Sequence, residues 1–152
     1  VQLDPNAIVT GSGNIYNMPA VSVFEIRYSA AAPIETLVFQ ARSVGTEIDY
    51  ASFGLEFDLG SGPVRLTAAR AELLRTPVPG LGDAVSSLWS WDLGSVSPAI
   101  QDITIKFNAA GSSLSFDSAT LDVQSVPEPG AAALLAAGLG ALAAGRWTRR
   151  RR

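Results

Sequence analysis

From Gly130 to Gly145 no residue carries a charged or hydrogen-bonding side chain, and Arg146, Trp147, Thr148, Arg149, Arg150, Arg151 and Arg152 follow at once. A helix apolar on every side must be buried in protein or in lipid. No other segment supplies a surface that could bury it in a core, which counts against the reading as a core helix with a basic tail. Sixteen residues at about 1.5 Å each span roughly 24 Å, a little short of the roughly 30 Å of bilayer hydrocarbon. Trp147 extends the span at headgroup level, and the arginines can snorkel outward. We therefore expect a single C-terminal transmembrane helix over residues 131–147. The five arginines Arg146, Arg149, Arg150, Arg151 and Arg152 act as the topology signal, keeping residues 148–152 in the cytoplasm and the rest outside.

The remaining chain alternates with period two. Phe24, Ile26 and Tyr28 share one parity, Leu37 and Phe39 another, and Ile103, Ile105 and Phe107 alternate with Asp102, Thr104 and Lys106. Each pattern is that of a half-buried strand. Between Glu47 and Leu59 the parity changes, which calls for a bulge or turn near Ala51-Ser52. A similar change falls between Phe116 and Leu121. The stretch Val64–Arg75 reads as strand or helix, with strand favoured by its turn-rich surroundings. Pro77-Val78-Pro79-Gly80-Leu81-Gly82-Asp83 is the longest breaker-rich loop and is expected to cross between two sheets. Eight or so short strands separated by Gly/Pro turns predict an all-β fold, an antiparallel β-sandwich or jelly roll. The expected organisation is a β domain over residues 1–124, a Pro-rich linker over 125–130, the anchor over 131–147 and the basic tail over 148–152.

Charge is divided unevenly. Ahead of Gly130 stand all 14 acidic residues and six basic ones, a net of −8, whereas the tail holds five arginines. So acidic a body is a poor partner for nucleic acid, since phosphate contacts need clustered cations. There is no cysteine and no histidine. That removes the usual ligands of zinc, iron–sulfur and blue-copper sites, and with them Ser–His and Cys–His catalysis within this chain. Ser12, Ser43 and Ser61 lack a base partner. Gly11-Ser12-Gly13 is an isolated turn, not a dinucleotide loop. No cofactor and no enzymatic activity are expected. The start at Val1, with no basic-plus-apolar leader, reads as a mature form whose signal peptide is gone.

Few residues remain as candidate sites. Trp89 and Trp91, two apart, would make a sugar platform if exposed and coplanar; otherwise they are core aromatics. Glu47 with Asp49 and Glu56 with Asp58 could ligate calcium or serve glycoside hydrolysis, but neither pair sits in a loop signature. They read first as solvated strand faces. In the anchor, Ala133, Ala137, Ala141 and Gly145 recur every four residues, a spacing that lets helices approach closely in lipid.

The sequence Val126-Pro127-Glu128-Pro129-Gly130, the short apolar helix and the terminal arginines together resemble the PEP-CTERM sorting signal of exported bacterial proteins. The resemblance covers about residues 126–152 only. It implies export, anchoring in the inner membrane of a Gram-negative envelope, and processing near Pro127, Glu128 and Pro129 by an exosortase. It also implies a host that often makes extracellular polysaccharide, a further partner beside membrane lipid. Two roles follow. One is a non-enzymatic surface or matrix protein with a periplasmic β domain. The other is a resident subunit of a large membrane complex, photosynthetic or respiratory, its helix packed against transmembrane helices of other subunits. Carbohydrate binding through Trp89 and Trp91 is a third.

Overall fold

A computed structural model describes residues 7–126 except Pro19 and Pro98. The predicted anchor helix, its small-residue face and the arginine cluster lie outside the described residues. Among these residues there is no helix, and hence none long and apolar enough to cross a membrane. Ten strands are present: β1 (Ile8–Val9), β2 (Ile15–Asn17), β3 (Val23–Ser29), β4 (Ile34–Gly45), β5 (Ile48–Asp58), β6 (Pro63–Leu66), β7 (Ala69–Val78), β8 (Gly82–Asp92), β9 (Asp102–Ala109) and β10 (Leu114–Ser125). They form two antiparallel sheets, one ordered β1-β2-β10-β4-β8-β7 and the other β3-β9-β5-β6.

Alternation decides which side chains meet between the sheets. The larger sheet turns Leu37, Phe39, Trp89, Trp91 and Leu114 inward, and the smaller one Phe24, Phe53, Leu55, Ile105 and Phe107. Phe24 stacks on Phe107 across β3 and β9 with centroids 4.9 Å apart. Phe53 lies on Trp89 at 3.9 Å and 6°, a ring contact that bridges the two sheets. Such aromatic contacts bury the largest apolar areas a chain can offer.

The parity change in β5 is a bulge, as the sequence predicts: register slips between Asp49 and Gly54. Local hydrogen bonds occupy the backbone there. The Ser52 hydroxyl donates to Asp49 O (2.7 Å) and accepts from Asn108 N (2.8 Å), and Ala51 N donates to Asp49 Oδ1 (3.1 Å). A second slip, between Phe116 and Ser118, accounts for the parity change in β10.

One expectation is refined and another corrected. The stretch Val64–Arg75 belongs to two strands in different sheets, β6 and β7, joined through Thr67-Ala68. That step crosses between the sheets, as several other connections do, whereas the Pro77–Asp83 loop does not. There β7 and β8 form a hairpin within one sheet, turned by Pro79–Leu81 with Gly80 at φ 77° and Gly82 at φ 96°. Glycines in the left-handed region let the chain reverse in place, so the breakers serve a tight turn and need not span the sandwich.

Candidate functional site

The register of β10 fixes the two ends of the molecule. Ser125 pairs with Ile34 at one end and Leu114 with Gly45 at the other. Val126 N still donates to Pro33 O at 2.9 Å, so the fold holds the chain up to the residue before Pro127. Pro127, Glu128 and Pro129 lie outside the described residues. The twelve residues of β10, at about 3.3 Å each, put the far end roughly 36 Å from this junction.

At that far end four segments enclose a groove of about 620 Å³. The β1–β2 turn brings Thr10, Asn14 and Tyr16, the end of β4 brings Arg42 and Val44, the β7–β8 turn brings Leu81, and the start of β10 brings Ser115 and Asp117. Its floor is built by backbone. Gly45 has φ 84°, and a Cβ placed on it would stand 2.9 Å from Ser113 O and 3.0 Å from Leu81 O. Ser113 itself adopts φ 68°, an uncommon conformation for a residue with a side chain. Arg42 and Asp117 pair within the lining, so the groove is neutral on an acidic body. A concave site that mixes apolar walls with a few fixed polar groups is the usual form of a ligand cleft.

A shallower hollow of about 530 Å³ lies on the outer face of the smaller sheet toward the tail end, lined by Arg27, Glu56, Asp58 and Asp102 among others. Its carboxylates are engaged inside the body. Glu56 takes Arg65 at 2.8 Å and Lys106 at 2.6 Å, Asp58 Oδ1 accepts from Gly60 N and Gly62 N, and Asp102 accepts from the Ser29 hydroxyl.

The acidic pairs singled out in the sequence are thereby separated in role. Asp49 and Asp58 close local turns, whereas Glu47 and Glu56 meet cations. Glu47 receives two hydrogen bonds from Arg75, at 2.6 and 3.0 Å, and one from the Tyr50 hydroxyl at 2.5 Å. Arg75 also reaches Glu72 and Asp83, and Arg70 lies 3.6 Å above the Tyr50 ring while bonding its hydroxyl and Glu72. The cluster ties β7 and β8 of one sheet to β5 of the other. Its electrostatics move away from neutrality. The hydrogen bond from Arg75, followed by that from Tyr50, outweighs burial and holds Glu47 below the usual carboxylate range. Arg75 and Arg70 lower Glu72 to about 2. Burial, then the Glu47 hydrogen bond, pushes Tyr50 up to about 12. In the smaller sheet Lys106 and Arg65 lower Glu56. Among the described residues no cluster of acidic side chains could hold a metal ion.

Trp89 and Trp91 do share one face, but that face is the core. They are 1% and 5% exposed and stack with Phe53, so the sugar platform expected of them is withdrawn. Each ring covers more apolar surface between the sheets than it could at the rim, which is why the alternation turns both inward. The far-end groove was not foreseen. Its residues come from four separated stretches, and only the glycines at 45, 80 and 82 hint that backbones converge.

Residues 125–152 match the family model of the PEP-CTERM protein-sorting motif. No curated protein and no solved structure matches the chain. The tail therefore carries the sorting signal of exported proteins, and the match begins at the last residue of β10.

Proposed function

We propose that this chain is a non-enzymatic exported protein, held at the inner membrane by its sorting tail and acted on by an exosortase, whose β body serves outside the membrane as a structural or binding module. One observation carries the reading: the sorting segment starts where β10 ends, at the opposite end of the sandwich from the groove. A body whose last strand runs up to the start of the sorting segment stands on the membrane by that end and presents the other outward.

Mass spectrometry of C-terminal peptides from native membranes and from the released fraction tests the proposal. A terminus near Pro129 in the released protein is the expected result. An intact Arg152 throughout, with other membrane proteins co-purifying, would replace it with the resident-subunit role.

A further inference from the structure

Two departures from regular strand geometry fall in the walls of the far-end groove. β10 slips register between Phe116 and Ser118, which makes Asp117 the extra residue of its bulge. A bulge re-aims a side chain, and this one sets Asp117 against Arg42 in the groove wall. Ser113, also in the lining, is the only described residue besides glycines with a positive φ. Backbone strain of that kind gathers where ligands are held. Between these two points runs a regular floor. Tyr16 of β2 stands opposite Ser115 of β10, and Ser115 opposite Val44 of β4. Leu114 and Phe116 on either side of Ser115 are buried, so alternation turns the row outward. Three strands spaced by about 4.8 Å make the row about 10 Å long.

We propose that this groove binds a neutral saccharide chain. The proposal rests on the binding role proposed for the β body and gives it a ligand class, at a site apart from the buried Trp89 and Trp91. Charge narrows the class first. Among the described residues of the lining the only charges are Arg42 and Asp117, and they are bonded to each other. An anionic ligand would have to take Arg42 from Asp117 on an acidic body, and a cation would have to take Asp117 from Arg42. An uncharged ligand disturbs neither. The placement of the groove narrows the class again. It lies on the face of a sheet whose ladders already occupy the backbone, so an extended peptide cannot add to it as a strand. Side chains alone meet the ligand, and they are of two kinds. Tyr16, Val44 and Leu81, the last 63% exposed at the lip, offer apolar surface to the C–H face of a sugar ring. Asn14, Ser115 and the Arg42–Asp117 pair offer donors and acceptors to ring hydroxyls. These polar groups are held in place. The Asn14 amide donates to the Ser115 hydroxyl at 3.2 Å, and Asn14 N donates to the Thr10 hydroxyl at 3.2 Å. A saccharide chain needs this combination of apolar wall and fixed hydrogen-bonding groups, and a wholly apolar ligand would strand the second.

An array of neutral oligosaccharides of glucose, mannose, galactose and N-acetylglucosamine tests the full-length protein, held in a detergent without a sugar headgroup. Alginate and dextran sulfate serve as anionic controls. Binding to at least one neutral series is expected, unchanged between about 50 and 500 mM salt because no ion pair is screened. Tyr16→Ala and Asn14→Ala should each weaken it by about tenfold or more, and Tyr16→Phe, which keeps the ring, by less. Tyr28→Ala, in the hollow of the smaller sheet, should bind as the native protein does. Tryptophan fluorescence confirms that each variant is folded. The proposal is overturned if no neutral glycan binds, or if the anionic controls bind better and lose affinity with salt. It is equally overturned if neutral glycans bind regardless of Tyr16→Ala and Asn14→Ala, or if the groove instead captures a protein that Tyr16→Ala releases. Any of these results, found together with a released chain ending near Pro129, removes the saccharide and leaves the exported module standing.

Discussion

Arg75 shows how much a single side chain does on the β7 edge. It bonds Glu47 from the β4–β5 turn, Glu72 from its own strand and Asp83 from the neighbouring strand. Exposed ion pairs contribute little one at a time, but a guanidinium shared by three carboxylates acts as a network. Stability should follow the protonation of Glu47 and Glu72, and of Glu56, which Arg65 and Lys106 hold on the smaller sheet. Glu47, Glu56 and Glu72 all titrate below the ordinary 4.5 when folded, Glu72 near 2. In the unfolded chain they take up protons first, so their stabilising effect is complete above about pH 4.5 and is lost as pH falls toward about 2. Tyr50 works in the opposite sense. Its folded value of about 12 exceeds the ordinary 10.0, so its contribution is intact below pH 10 and disappears as pH rises to 12. Denaturation midpoints followed by tryptophan fluorescence should therefore fall at both extremes, with Glu72→Gln flattening the acid limb and Tyr50→Phe the alkaline one. A midpoint unchanged between pH 5 and 2 would show that the network does not stabilise the fold.

Among the elements, the turn glycines divide into those that only bend the chain and those that also admit another backbone. Gly13 and Gly45 have nearly equal φ, 89° and 84°. A Cβ at Gly13 would meet nothing within 4 Å, whereas at Gly45 it would press on two carbonyl oxygens of the groove floor. Gly13→Ala should cost about 1 kcal/mol, the left-handed penalty alone. Gly45→Ala should cost about 3 kcal/mol, since the strain adds to a backbone clash that no rotamer can relieve. Urea denaturation of the two variants measures the difference, and equal losses would mean that the floor can shift freely. The contrast also marks how far the sequence could be read. Period-two alternation put Phe39, Ile105 and Phe107 on the faces that turn inward, and broken parity located the bulges in β5 and β10, because both depend on neighbours along the chain. Thr67-Ala68 gave no sign of a crossing, since two ordinary residues suffice when the next strand lies directly across the core. The convergence of Gly45, Leu81 and Ser113 was equally hidden. It depends on which strands become neighbours, and a strand pattern does not encode its partner.

For the whole molecule the decisive relation is between an acidic body and a cationic tail. Residues 1–126 contain thirteen acidic and six basic side chains, a net of −7, so an anionic lipid surface repels the body. Attachment must then come from residues 127–152, which hold the apolar run and all five remaining arginines. The body is expected not to depend on them in return. Among the described residues its ladder ends at Ser125, and the backbone bond nearest the tail runs from Val126 N to Pro33 O. Ending the exported chain after Val126 should therefore separate the two properties. The truncated protein should leave the membrane fraction and appear soluble in the periplasm, while its denaturation midpoint stays within about 0.5 kcal/mol of the full chain. Replacing Arg146, Arg149, Arg150, Arg151 and Arg152 by Gln should weaken retention without touching the midpoint, because the positive-inside signal is lost while the apolar run remains. A truncated body that stays on the membrane would show that attachment resides in the strands themselves. A midpoint lowered by several kcal/mol would show that the final residues are packed into the sandwich, which would remove the basis for an anchored module.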